Sequence, residues 1–144
     1  MIHESLPYID VVTVQPYRAV FPRETFERLY QETGKPVMIC DHNISFKTPK
    51  YAEVMWETMP DAASAGKAYT QYLEDAFAMP FVIGYNRCQY IDRYQARLKT
   101  LKQGLLQVDG TPHKELAERV LKANWQIHAK FIDWPGGKSG DATK

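Results

Sequence analysis

The sequence predicts an α/β fold assembled from parallel β-α units, and three observations predict it. Short apolar or β-branched runs recur at residues 9–14, 37–40 and 81–84, each the length of a buried strand. Between them lie stretches whose apolar residues fall at helical spacing. Each strand also runs from apolar residues into polar and aromatic ones: Gln15-Pro16-Tyr17, then Asp41-His42-Asn43, then Tyr85-Asn86-Arg87-Cys88-Gln89-Tyr90. Strand–helix alternation of this kind gives a parallel sheet with right-handed crossovers. In such sheets ligands collect at the carboxyl ends of the strands.

The first strand, 9–14, is β-branched and is expected to be buried on both faces. Pro22 opens a helix with Phe26, Leu29 and Tyr30 on one stripe, and Gly34 stands just past its end, the usual Pro-then-Gly asymmetry. The second strand, 37–40, follows at once. Residues 43–60 read as a long loop holding Phe46, Pro49, Tyr51, Trp56 and Pro60. Asp61 is an N-cap for the next helix. That helix carries Ala65, Ala68, Tyr69, Tyr72, Leu73, Ala76 and Phe77 on one face and stops before Pro80.

The third strand begins at Phe81. Residues 92–103 read as an irregular, basic stretch with Arg93, Arg97, Lys99 and Lys102. Residues 104–108 form a short extended piece and Asp109-Gly110 a turn. Thr111 caps and Pro112 opens a last helix, with a stripe of Leu116, Val120, Ala123, Ile127 and Phe131. One domain therefore spans 1–134, and residues 135–144, rich in Gly, Ser and Lys, read as a flexible tail.

Composition narrows the function classes. Hydrophobic residues make up 44% and charged residues 24% of the 144 positions, ordinary for one globular domain. The net charge of +1 leaves no electrostatic footprint for nucleic acid. No apolar run approaches the ~18–20 residues of a membrane span. No basic-then-apolar leader opens the chain; it is expected either to be cytosolic or to lack its true beginning. Cys40 and Cys88 lie late in strands and read as two small buried thiols or as a cross-strand disulfide. His3, His42, His113 and His128 are scattered, without zinc spacing, so no metal is expected. No phosphate loop or Ser-His-Asp signature points to another cofactor or nucleophile.

Three parallel strands make a thin sheet. Such strands need both faces covered and their edges protected. The pattern therefore suits either a small three-layer sandwich or the last three units of a (β/α)₈ barrel, a partial TIM barrel whose first five units are absent.

Particular motifs sharpen the second reading. Gly34-Lys35-Pro36-Val37-Met38-Ile39-Cys40 leads into Asp41. Val14-Gln15-Pro16-Tyr17 ends the strand before it, and Gly84, Gln89, Tyr90 and Asp92 mark the strand after it. Gly104-Leu105 and the helix at 112–131 close the chain. Over residues 8–132 the chain resembles the carboxyl-terminal part of retaining glycoside hydrolases with a (β/α)₈ barrel, agarase-like and β-galactosidase-like. The resemblance implies hydrolysis of an oligo- or polysaccharide, and a parent family often secreted or periplasmic. It puts Asp41 at the position of the catalytic nucleophile, where the family usually has Glu. Arg87 stands where Trp is common, and the acid/base carboxylate of strand four has no counterpart here.

Asp41 is thus the candidate catalytic residue; alternatively it caps a turn or pairs with Arg87 or Arg93. Tyr17, Tyr85 and Tyr90 are candidate stacking walls for a sugar ring, or core. Gln15, His42, Asn43, Asn86, Arg87 and Gln89 are candidate hydroxyl-binding groups, or supports for loop backbone. Trp56 suits a subsite platform or a buried loop anchor. Retaining glycosidases need two carboxyls about 5–5.5 Å apart and inverting ones about 6.5–9.5 Å. The competing function is a non-catalytic saccharide-binding or remnant module that self-associates through exposed sheet edges. A third is an unrelated small α/β protein that dimerises by its sheet edge.

Overall fold

The computed structural model describes residues 2–51 and 53–131. The tail at 135–144 and the predicted domain end at 134 lie outside them. The chain begins with a short helix α1 (Ile2–Ser5) and a 3₁₀ turn at Leu6–Tyr8. Then come β1 (Val12–Val14), α2 (Arg23–Thr33) and β2 (Val37–His42). Two short strands follow, β3 (Ser45–Phe46) and β4 (Thr58–Met59), then α3 (Ala62–Phe77) and β5 (Val82–Arg87). A hairpin of β6 (Arg93–Gln95) and β7 (Thr100–Lys102) precedes α4 (Lys114–Phe131).

The main sheet is parallel, in the order β1-β2-β5. Val12 pairs with Val37, Val14 with Ile39, and Ile39 with Tyr85. The fold is therefore mixed α/β with adjacent parallel strands, as the alternation predicts. Helix ends follow local chemistry. Gly34 adopts φ 62° and its N–H closes on the Tyr30 carbonyl at 2.8 Å, a left-handed cap that glycine takes without steric penalty. Asp61 is extended, and its Oδ1 accepts from the Ser64 N–H at 2.7 Å. Helix α4 starts later than expected. Asp109 Oδ1 holds the Thr111 N–H at 2.9 Å, so Thr111 belongs to the preceding turn rather than capping the helix.

All three long helices cover the same face of the sheet. Phe26 of α2, Tyr69, Tyr72 and Leu73 of α3 and Leu116, Val120 and Ile127 of α4 form one core with Val37, Ile39 and Val82. Full burial of side chains such as Ile39 and Leu116 stabilises by about 1.5–3 kcal/mol each. The other face is different. Thr13 is exposed, Met38 and Cys40 are half-buried, and Ile83 is 55% exposed. Burial of β1 on both faces, expected from its β-branched run, is thus not found. The strands alternate because only one face has a helix layer among the described residues.

The two stretches read as irregular contain paired strands. β3 and β4 are parallel, and β6 and β7 form an antiparallel hairpin with Lys99 at φ 52° in its turn. Strands this short carry no readable periodicity. Gln103, fully buried, ties the two stretches together. Its Oε1 accepts from the Phe46 N–H at 2.9 Å, and its carbonyl accepts from Asn43 Nδ2 at 2.5 Å. Met55 and Leu101 add a backbone bond at 2.9 Å. Gly104 permits the close passage that follows: a Cβ there would lie 2.6 Å from the Tyr90 oxygen. The Gly104 N–H donates to buried Asp92 at 2.6 Å, whose other oxygen meets His113 Nε2 at 2.9 Å. This clamp brings Trp56 and Lys102 over the carboxyl end of the sheet.

Candidate functional site

Asp41 lies near the carboxyl end of the central strand, where the β2–β5 register shifts between Ile39 and His42. Its φ is 50°, a left-handed conformation that Asp tolerates better than most residues. Neighbouring strand ends then converge on its carboxylate. The Tyr17 hydroxyl donates to Oδ2 at 3.0 Å and lies 3.1 Å from Gln15 Oε1. Gln15 Nε2 is 3.4 Å from Oδ2, and Lys102 Nζ is 3.5 Å from Oδ1. The Cys88 N–H bonds to the His42 carbonyl at 3.0 Å, which sets the Cys88 thiol beside Asp41.

The electrostatics favour an ionised carboxylate. A hydrogen bond from the Cys88 thiol holds Asp41 below the usual carboxylate range; burial opposes it, and Tyr17 and Lys102 add to the lowering. Burial and Asp41 both push the Cys88 thiol up, so the sulfur keeps its proton. Burial opposes the charge on Lys102, but Cys88 and Asp41 together raise it. Tyr17 is raised by burial and then by Asp41, so it stays a donor. Trp56, at φ 68°, completes the wall. Its ring is stacked at 6.5 Å from Tyr17, with Lys102 Nζ 5.0 Å from its centroid.

The other sequence-singled residues go elsewhere. His42 is fully buried and stacked on Tyr72 at 4.1 Å. Its Nε2 must donate to the Arg18 carbonyl at 2.8 Å, so its Nδ1 accepts from the Tyr85 hydroxyl at 2.7 Å. Burial drives its pKa down to about 4, and it is neutral. Asn43 is in the Gln103 clamp. Tyr85 packs with Tyr69 and Tyr72, and Arg87 lies over the Tyr69 ring at 5.6 Å; both face the helix layer. Gln89 Nε2 donates to the Ile91 and Lys102 carbonyls at 2.6 and 2.7 Å, which anchors Lys102. Asn86 and Tyr90 are exposed.

Of the candidates, the structure therefore gathers Gln15, Tyr17 and Asp41 around one point. Trp56, a candidate platform, joins them, and the structure adds Lys102, noted only within a basic stretch, and Cys88, which sequence reasoning treated only as a thiol. Its place at the end of the strand next to Asp41 was the available signal. Cys40 and Cys88 are both free thiols, so no disulfide joins them. Among the described residues no group of three or more His, Cys, Asp or Glu could hold a metal ion, and no helix is long and apolar enough to cross a membrane.

Comparison with solved structures finds the same fold within several glycoside hydrolases. An exo-β-agarase matches 89% of the chain with a TM-score of 0.79 at 21% identity. A second agarase matches 90% with a TM-score of 0.77 at 15% identity. A Faecalibacterium prausnitzii β-glucuronidase matches 81% with a TM-score of 0.60 at 14% identity. The chain thus has the fold of a segment of these enzymes. It spans only 18%, 19% and 22% of their respective lengths. No protein-family model matches the sequence, and no curated protein matches it significantly.

Proposed function

We propose that the chain is a glycoside-hydrolase segment equivalent to the last three units of a (β/α)₈ barrel, with Asp41 at the nucleophile position. The observation that carries this reading is the ionised Asp41 at the carboxyl end of the central parallel strand, ringed by Tyr17, Gln15 and Lys102. The uncovered sheet face, with Thr13, Met38 and Ile83 on it, suits the interior of a larger barrel. In a retaining mechanism a carboxylate oxygen bonds to the anomeric carbon as the glycosidic C–O bond breaks. A second carboxyl protonates the departing oxygen, and water later releases the sugar. Tyr17 orients the attacking oxygen, and the exposed edges of Tyr17 and Trp56 are a platform for an apolar ring face.

One observation favours a non-catalytic reading of the chain by itself. The side chains on Asp41 belong to Gln15, Tyr17, Cys88 and Lys102, and none is a carboxyl. The family resemblance puts the acid/base carboxyl on a strand with no counterpart here, so that group would come from further polypeptide. Alone, the chain would bind saccharide without hydrolysing it, and its open sheet edges at β1 and β5 would drive self-association.

The test uses Asp41→Asn in the barrel that supplies the second carboxyl, with agaro-oligosaccharide and an aryl galactoside as substrates. Activity should fall by more than about 10³-fold. Stability should change by no more than about 1 kcal/mol, because the carboxylate is partly exposed and its ion pair is solvent-screened. Mutants that melt several degrees lower but keep full activity per folded molecule would make Asp41 structural.

A further inference from the structure

A cavity of about 280 Å³ lies on the helix side of the sheet between β5, α3 and α4. Its polar lining comes from Tyr69, Tyr85, Arg87, Asn124 and His128, and the rest is apolar. None of these side chains contacts Asp41.

Arg87 is the unusual member. Its Nε, Nη1 and Nη2 are all buried, and the one hydroxyl placed to bond them, that of neutral Tyr85, makes no hydrogen bond of proper geometry with them. A guanidinium does not shed its proton in a protein, so this is a buried cation. The groups that act on it carry no compensating charge. The phenols of Tyr69 and Tyr85 are pushed up by burial, Tyr69 to about 12, and His42 is neutral. Cys88, also nearby, keeps its proton. A buried charge without a partner is strongly unfavourable, so the arrangement calls for an anion.

The cavity is equipped to hold one. The Tyr69 hydroxyl donates to Asn124 Oδ1 at 2.8 Å, which leaves Asn124 Nδ2 free to donate into the space. His128 lines the same wall. A planar guanidinium matches a planar carboxylate with two parallel hydrogen bonds. With a single cation and Leu73, Val120 and Ile127 around it, a monoanion with an apolar tail fits better than a dianion.

We propose that this cavity is a carboxylate-binding site, with Arg87 as the clamp and Asn124 as a second donor. The carboxylate belongs either to a small free acid or to an Asp or Glu side chain of polypeptide lying against the open edge of β5. The proposal stands apart from the role of Asp41.

The test uses the 144-residue chain with sodium butyrate against sodium chloride at equal ionic strength. Butyrate should raise the melting temperature saturably, beyond chloride, as a ligand of the native state does. It should also shift the Arg87 Nε–Hε resonance along one saturating curve. Arg87→Met should melt higher than wild type in chloride, because the unpaired charge is gone, and should not respond to butyrate. Arg87→Lys should respond more weakly than wild type. If butyrate also dissociates a self-associated form that Arg87→Met fails to make, the native carboxylate is a side chain of a second copy. If the chain is monomeric throughout, it is a free acid. The proposal is overturned if butyrate acts no differently from chloride on melting and on the Arg87 resonance. A butyrate response in Arg87→Met equal to wild type overturns it as well.

Discussion

Acidification should loosen this fold through His42 before any carboxylate contributes. His42 sits at the strand end that holds Asp41. It is fully buried, stacked on Tyr72 and bonded at both ring nitrogens in its neutral form. Its pKa falls from 6.5 to about 4, chiefly from burial, with Arg87 adding repulsion. The unfolded chain therefore takes up a proton near pH 6.5 that the folded chain refuses until about pH 4. The stability at stake is fully present above pH 6.5 and is lost as pH falls from there toward 4. A shift of about 2.5 units corresponds to about 3 kcal/mol in full and about 2 kcal/mol by pH 5. That is a large share of the ~5–15 kcal/mol that holds a typical domain together. Asp41, Asp61 and Asp109 do not confuse this window. Their folded pKa values are lowered from 3.8, so their contribution is lost only at lower pH. Urea midpoints from pH 7.5 to 4.5, followed by tryptophan fluorescence, would measure the loss. His42→Gln, which retains one donor and one acceptor without a titrating ring, should flatten the profile. Equal wild-type stability at pH 7 and pH 5, or an undiminished slope in His42→Gln, would refute the reasoning.

Other perturbations test the frame around the site. Gly104→Ala should destabilise by about 1–3 kcal/mol or more, because its Cβ would meet backbone of Tyr90 and Ile91 at 2.6–2.7 Å rather than a movable side chain; a neutral melt would show that the 90–104 passage can shift. Lys102→Met should let the Asp41 pKa rise toward its ordinary value while stability changes by less than about 1 kcal/mol. Carboxyl-carbon NMR titration reads this directly, and an unmoved Asp41 would remove Lys102 from the site. Sedimentation should reveal concentration-dependent association of the chain through its sheet edges. A compact monomer that melts cooperatively at every concentration would argue for a self-sufficient small fold.

The strand–helix alternation was legible because it rests on local signals. Pro22 and Gly34 bracket α2, Asp61 caps α3, and the stripe from Leu116 to Ile127 faces the core. Tyr17 and Asp41 could be placed at one sheet edge because parallel strands joined by short crossovers must align their carboxyl ends. The β3–β4 pair and the β6–β7 hairpin were not legible. Two or three residues show no period, and these strands depend on Gln103 bonding to Phe46 and Asn43 some sixty positions away.

Local pattern and strand polarity alone determined the α/β class, the ends of α2 and α3 and the edge at which the acidic strand end would lie. Only the tertiary structure decided what each polar residue there does. His42 follows Asp41 directly, yet one ring is buried as a neutral packing group while the other side chain takes charged and donor partners. The left-handed turn at Asp41 and the register shift beside it interrupt the alternation of β2, and the covering of each face is set by elements remote in sequence. For the same reason Arg87 went to the helix layer, and Lys102, from a hairpin that the sequence did not announce, came to Asp41. Long-range packing assigned those partners, and no stretch of neighbouring residues encodes it.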